Sequence, residues 1–197
     1  MDLAERYAFP TYLLRQKVFK LFGEDFHIFD PDGNVVLYSK QKAFKVKEDI
    51  RVYADESMAQ EVLTIRTQSI FDISGTYGVV DPTTGETVGA LKRHGFKSMI
   101  KDQWTLYDDR GEEAGQIIED STFKALVRRA HDIASALMPQ AYHATWQGQP
   151  AAVFKQNFNP FVRKIAIDFT PDTGNRLDPR LGLAAAILLC AIEGKQN

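Results

Sequence analysis

The chain has a single cysteine, Cys190, which excludes an intramolecular disulfide and any cluster of thiolate metal ligands. With no covalent staple available, a reducing, cytoplasmic compartment is the expected setting. Net charge is also scarce, with 24 Lys+Arg against 26 Asp+Glu, so no global field draws the protein to nucleic acid or to a membrane. Any anion site must therefore be local. The longest apolar run, Leu181 to Ile192, falls short of the roughly 20 residues of a bilayer span. The first residues, broken by Asp2, Glu5 and Arg6, lack the form of a secretory signal. Also missing are a Gly-x-Ser-x-Gly elbow, a phosphate-binding glycine loop and histidines paired on one helical turn; His27, His94, His131 and His143 are scattered. These absences give an expectation of a protein that is not an enzyme and has no cofactor and no metal.

What is present is a recurring phrase. Between Phe26 and Phe169, runs rich in Val, Ile, Phe, Tyr or Trp alternate with turns such as Asp30-Pro31-Asp32-Gly33-Asn34, Asp81-Pro82-Thr83-Thr84-Gly85, Asp108-Asp109-Arg110-Gly111 and Gln147-Gly148-Gln149-Pro150. Proline presets φ and glycine permits positive φ, so the pattern reads as hairpin after hairpin. Ile50-Arg51-Val52-Tyr53 and Lys164 to Phe169 alternate with the period of a strand that has one wet face. Gly85 and Gly89 repeat the spacing of Gly111 and Gly115. Gly89 and Gly115 lie one strand-length past their turns, where a missing side chain marks a bulge or a close backbone approach. The acidic pairs Asp108-Asp109 and Glu112-Glu113 fall in and beside a turn, as solvated carboxylates do.

Two segments depart from the strand period. Phe123, Leu126, Val127, Ala130, Ile133, Ala134 and Leu137 recur at helical spacing, predicting an amphipathic helix near 122–138 that packs outside the sheet, capped by Ser121 or Thr122 and stopped by Pro139. Near the C-terminus Asp178 suits an N-cap, Pro179 the first helical position and Gly194 a stop. The run Leu181 to Ile192 between them has no polar face, so protein must surround it. A single domain over 1–197 is predicted: antiparallel strands closed into a barrel around a buried hydrophobic helix, which removes free strand edges and buries the helix in one step.

The order of several pieces resembles the LURP-one-related and phospholipid scramblase branch of the Tubby C-terminal-like superfamily. They are Leu14-Arg15-Gln16-Lys17 leading into Phe26-His27-Ile28-Phe29-Asp30, then Ala43 to Tyr53, then Ser69-Ile70-Phe71-Asp72-Ile73-Ser74-Gly75, and Leu177-Asp178-Pro179-Arg180-Leu181. The resemblance implies a twelve-stranded antiparallel barrel threaded by a hydrophobic C-terminal helix. It also implies functions of the kind associated with that superfamily: phosphoinositide binding, calcium-dependent lipid movement or plant defence. The chain departs from scramblases in lacking a proline-rich arm and a cysteine cluster for palmitoylation.

The candidate anion site joins two basic stretches, Lys40, Lys42, Lys45, Lys47 and Arg51 with Lys92, Arg93, Lys97 and Lys101. Lys45, Lys47, Arg51, Lys92, Arg93 and Lys97 are its predicted core, since a phosphorylated headgroup needs convergent charges and Arg forks. Lysines also serve to keep strand edges from pairing, and Glu48, Asp49 and Asp102 dilute the patch. Asp168, Asp172 and Asp178 lie where scramblases carry their proposed calcium segment, but their spacing suits turn and cap duty. Cys190, among Leu188, Leu189, Ala191 and Ile192, reads as packing. The expected function is a non-enzymatic module that binds anionic phospholipid headgroups as a peripheral protein of a cytoplasmic membrane surface. The alternative is a scaffold that binds a protein partner through its outer sheet or the helix near 122–138, and calcium-dependent lipid scrambling or an enzyme with its site at a barrel mouth ranks last. Nucleic acid is not an expected partner.

Overall fold

The computed structural model describes residues 1–19, 23–41, 49–67, 75–94, 103–120, 140–157 and 162–192. The predicted helix near 122–138, the stop at Gly194 and the basic residues Lys42, Lys45, Lys47, Lys97 and Lys101 lie outside them.

Twelve antiparallel strands follow one another as predicted: β1 (Thr11–Phe19), β2 (Gly23–Phe29), β3 (Val35–Gln41), β4 (Ile50–Tyr53), β5 (Glu61–Arg66), β6 (Thr76–Val80), β7 (Thr87–His94), β8 (Gln103–Tyr107), β9 (Glu113–Glu119), β10 (Gln140–Trp146), β11 (Gln149–Asn157) and β12 (Val162–Asp168). Each pairs with its sequence neighbours, and β1 pairs with β12, from Thr11 opposite Asp168 to Lys17 opposite Val162, so the sheet closes into a barrel. The period-2 alternation sorts the side chains: Leu14, Phe26, Ile28, Leu37, Ile65, Leu91, Trp104, Leu106, Ile117, Phe154 and Ile165 are all buried in one core.

That core is completed by helix α1 (Pro179–Ile192), whose residues Leu181 to Ala191 are all buried. The cap is as predicted, with Asp178 Oδ1 accepting from the Arg180 N–H at 2.8 Å. Gly182 lets the helix approach the Phe169 ring, which a Cβ would strike. The two hairpin glycines serve as predicted too. Gly89 and Gly115 each lie beside a register shift, and a side chain at Gly115 would collide with the backbone carbonyl of Thr145.

The end of the barrel where α1 begins is sealed by the N-terminal segment and a clasp. Arg6 donates to the carbonyls of Val36 and Ala54, each at 2.7 Å, and Tyr12 Oη donates to the Arg6 carbonyl at 3.1 Å. Arg180 bonds Asp178, Asp81 and Glu86 at 2.6, 3.2 and 2.9 Å, tying the first turn of α1 to the β6–β7 turn. Among the described residues no helix is long and apolar enough to cross a membrane.

Candidate functional site

Alternation also decides what the strands present outward, and on β2, β1, β12 and β11 they enclose a groove of about 520 Å³. Closure of the sheet makes it, because β1 and β12 are the first and last strands and become neighbours only there. Its apolar floor includes Leu13, Phe29, Val153 and Ala166. Arg15, Lys155 and Lys164 rise from it.

Arg15 lies directly opposite Lys164, and Lys155, on the next strand, is opposite Ala166. Like charges placed opposite one another are unfavourable, yet no carboxylate ion pair joins any of the three among the described residues. Arg15 is held in place by stacking. Its guanidinium carbon sits 4.9 Å from the centroid of the Phe29 ring, and its buried Nε has no hydrogen-bond partner. Phe29 stacks in turn on His27, whose ring packs on Tyr38 and whose Nε2 lies 2.7 Å from Glu56 Oε1. Burial, helped by the neighbouring Asp25 carboxylate, pushes the Tyr38 hydroxyl up to about 12, so it stays a neutral wall of this stack. The far end of the groove is acidic, with Asp30 and Asp168.

The inner face holds a second polar feature. The inward row turns from apolar to polar at the end of the barrel where α1 finishes. Gln16, fully buried, donates to Glu24 at 2.9 Å and accepts from the Cys190 thiol at 3.1 Å and from Arg163 at 3.4 Å. Burial pushes that thiol up to about 12, so Cys190 is an inert packing group, as its neighbours predict. Gln156, 1% exposed, has neither its Nε2 nor its Oε1 hydrogen-bonded.

Among the described residues the two halves of the predicted basic patch do not meet, although Lys40 on β3 and Arg51 on β4 are on paired strands. Arg51 is on β4 and faces water, its side chain 62% exposed and 3.6 Å from Glu61. Lys92 and Arg93 are on β7, with β5 and β6 in between. Being consecutive they take opposite faces: Arg93 is opposite the core residue Trp104, and Lys92 is opposite Thr105. The three aspartates near α1 have turn and cap duties. Asp168 Oδ1 accepts from the Thr170 N–H and hydroxyl, Asp172 Oδ2 from the Arg176 and Leu177 N–H groups, and Asp178 caps the helix. Among the described residues no three His, Cys, Asp or Glu side chains are grouped to hold a metal ion.

Arg15, Lys155 and Lys164 escape a reading along the sequence because each is on a different strand, and nothing in the order of the residues sets β1 beside β12. Runs of lysine attract notice, whereas this cluster exists only through the β1–β12 closure. The signal that finds it is the register: in a closed antiparallel barrel Arg15 and Lys164 are both outward residues of strands that must pair.

These features define a class, a twelve-stranded antiparallel barrel filled by its own helix. The chain belongs to the LURP-one-related family, whose family model matches residues 35–159. The X-ray structure of a protein from Arabidopsis thaliana is similar over 98% of this chain and 96% of that one, at 13% identity and a TM-score of 0.49. A search of curated proteins found no match.

Proposed function

We propose that the protein is a non-enzymatic binding module, related to the Tubby-like barrels, that takes a phosphate-bearing anionic headgroup in the groove between β2 and β11. The observation that carries this reading is the trio Arg15, Lys155 and Lys164. They are three cations on adjacent strands, two of them directly opposite each other, with no carboxylate bonded to them among the described residues. A phosphate relieves their repulsion and supplies acceptors for the guanidinium fork. Phe29 under Arg15 fixes the fork before the ligand arrives, which lowers the ordering cost of binding.

A closed barrel supports recognition by side chains rather than by strand addition. Every strand has both neighbours, so no free edge offers backbone groups to an extended peptide. With α1 filling the barrel, the outer groove offers a ligand a concavity on the surface of the sheet. Set against a membrane surface, it would place its cations among lipid phosphates.

Co-sedimentation with vesicles tests the proposal. Phosphatidylcholine vesicles containing a phosphoinositide or phosphatidic acid should pellet the wild type, and the double variant Lys155→Glu, Lys164→Glu should bind at least about tenfold more weakly, two reversed charges each contributing about 1 kcal/mol or more near the surface. Equal binding of the two proteins would overturn it.

A further inference from the structure

The groove is polar along its length. On β12, Lys164 and Asp168 face the same way four residues apart, about 13 Å at the rise of a strand. Lys164 is opposite Arg15, while Asp168 is opposite Thr11 on one side and Val153 on the other. Asp30, just past the end of β2, lines the same end as Asp168. The cations thus occupy one end and two carboxylates the other, with Lys155 between them. Asp30 is committed to its turn, since both its oxygens accept from Asn34. Asp168 is not: only its Oδ1 is used, by Thr170.

Such a field does more than attract an anion. A ligand with several phosphates spread over the groove brings one of them against Asp30 and Asp168, and that repulsion counts against it. A ligand with one phosphate and a donor beyond it satisfies both ends, and the flexible Lys and Arg stems, leaning along the strands, shorten the gap between them. Resting on the anion-binding reading above, we infer that the groove selects a ligand carrying a single phosphate and a primary ammonium, an aminoalkyl phosphate, with the ammonium on Asp168. Both a lipid headgroup and its free glycerol-linked form have this chemistry.

Titration of the full chain with three soluble probes, followed by backbone amide NMR shifts, tests the inference. sn-Glycero-3-phosphoethanolamine should bind about fivefold more tightly than sn-glycerol 3-phosphate, the effect of one exposed ion pair of about 1 kcal/mol, and more tightly than inositol 1,4,5-trisphosphate. Asp168→Asn keeps the oxygen that Thr170 needs; it should abolish the preference without weakening glycerol 3-phosphate binding, since the charge it removes repels phosphate. Lys155→Ala with Lys164→Ala should weaken all three. Equal affinity of the wild type for the two glycerol compounds, or tightest binding of the trisphosphate, would overturn the inference and leave the anion groove standing. Failure of all three to bind would overturn both. Vesicles of phosphatidylcholine with and without phosphatidylethanolamine separate the sources, since only a headgroup site gains affinity from the primary amine on a bilayer.

Discussion

Gln156 shows how a single residue departs from the rule that buried polar groups find partners. Its amide is enclosed, and neither end of it is hydrogen-bonded, although an unsatisfied buried group costs about 1–3 kcal/mol. Removing the amide without leaving a void should therefore help the fold. Gln156→Leu is expected to raise stability by about 1–2 kcal/mol, or roughly 2–6 °C in Tm for a chain of this size, as measured by thermal unfolding followed by circular dichroism. A lower Tm would show that the amide is satisfied by bridging water. The groove is governed at the same scale. Arg15 and Gln16 are adjacent in sequence, yet one faces the groove and the other Cys190, so a one-residue slip of β1 would exchange the two.

Among the elements, the clasp at the start of α1 has a pH dependence whose sign can be stated. Burial opposes the charge of Asp81 most strongly. Hydrogen bonds from the Thr83 hydroxyl and N–H, and the Arg180 charge, outweigh it and hold the carboxyl below its usual value of 3.8. A carboxylate depressed in the folded state contributes stability that is fully present above its unfolded pKa and is lost as pH falls through the folded one. The difference in urea stability between the wild type and Asp81→Asn should accordingly stay constant from neutral pH to about 5, begin to shrink near 4 as the carboxyl protonates in the unfolded state, and level off only once pH has fallen through the lower folded-state value. A gap that persists to pH 2 would mean that the clasp owes nothing to this charge.

Elements are also the level at which the sequence is most legible. Helix α1 can be read almost to the residue, because a run with no polar face has one solution in water and Asp178-Pro179 marks its start. Gly89 and Gly115 are legible because a glycine inside a strand has few other uses. The groove is hidden by the same periodicity that reveals the strands. Lys92 and Arg93 look like a patch in sequence but are sent to opposite faces, while Arg15 and Lys164 look unrelated and are cross-strand partners. Pairing partners that lie at opposite ends of the chain are invisible until the sheet is known to close.

For the whole molecule, one helix serves as the shared core of twelve strands, and residues of α1 such as Leu181, Leu188 and Ala191 lie in the same buried cluster as residues from every strand. A defect there cannot stay local. Leu188, fully buried, would become an unpaired buried charge on substitution by Asp, at a cost of several kcal/mol against a total stability of about 5–15 kcal/mol. Leu188→Asp is expected to abolish cooperative unfolding and lower soluble yield, read by near-ultraviolet circular dichroism and gel filtration. A folded, soluble variant would refute the role given to the helix.

The order of the elements along the chain also governs how the protein is made. During synthesis all twelve strands leave the ribosome before α1 does, and β1, already beside β2, must wait for β12 to find its second neighbour. For most of translation the emerging polypeptide thus lacks both the seam and the filling of the barrel, and its apolar inner rows have yet to meet α1. Pairings this distant in sequence are slow to form, and exposed rows of this kind invite association with other chains. Until α1 emerges, the inner rows of the nascent protein have nothing of their own chain to cover them.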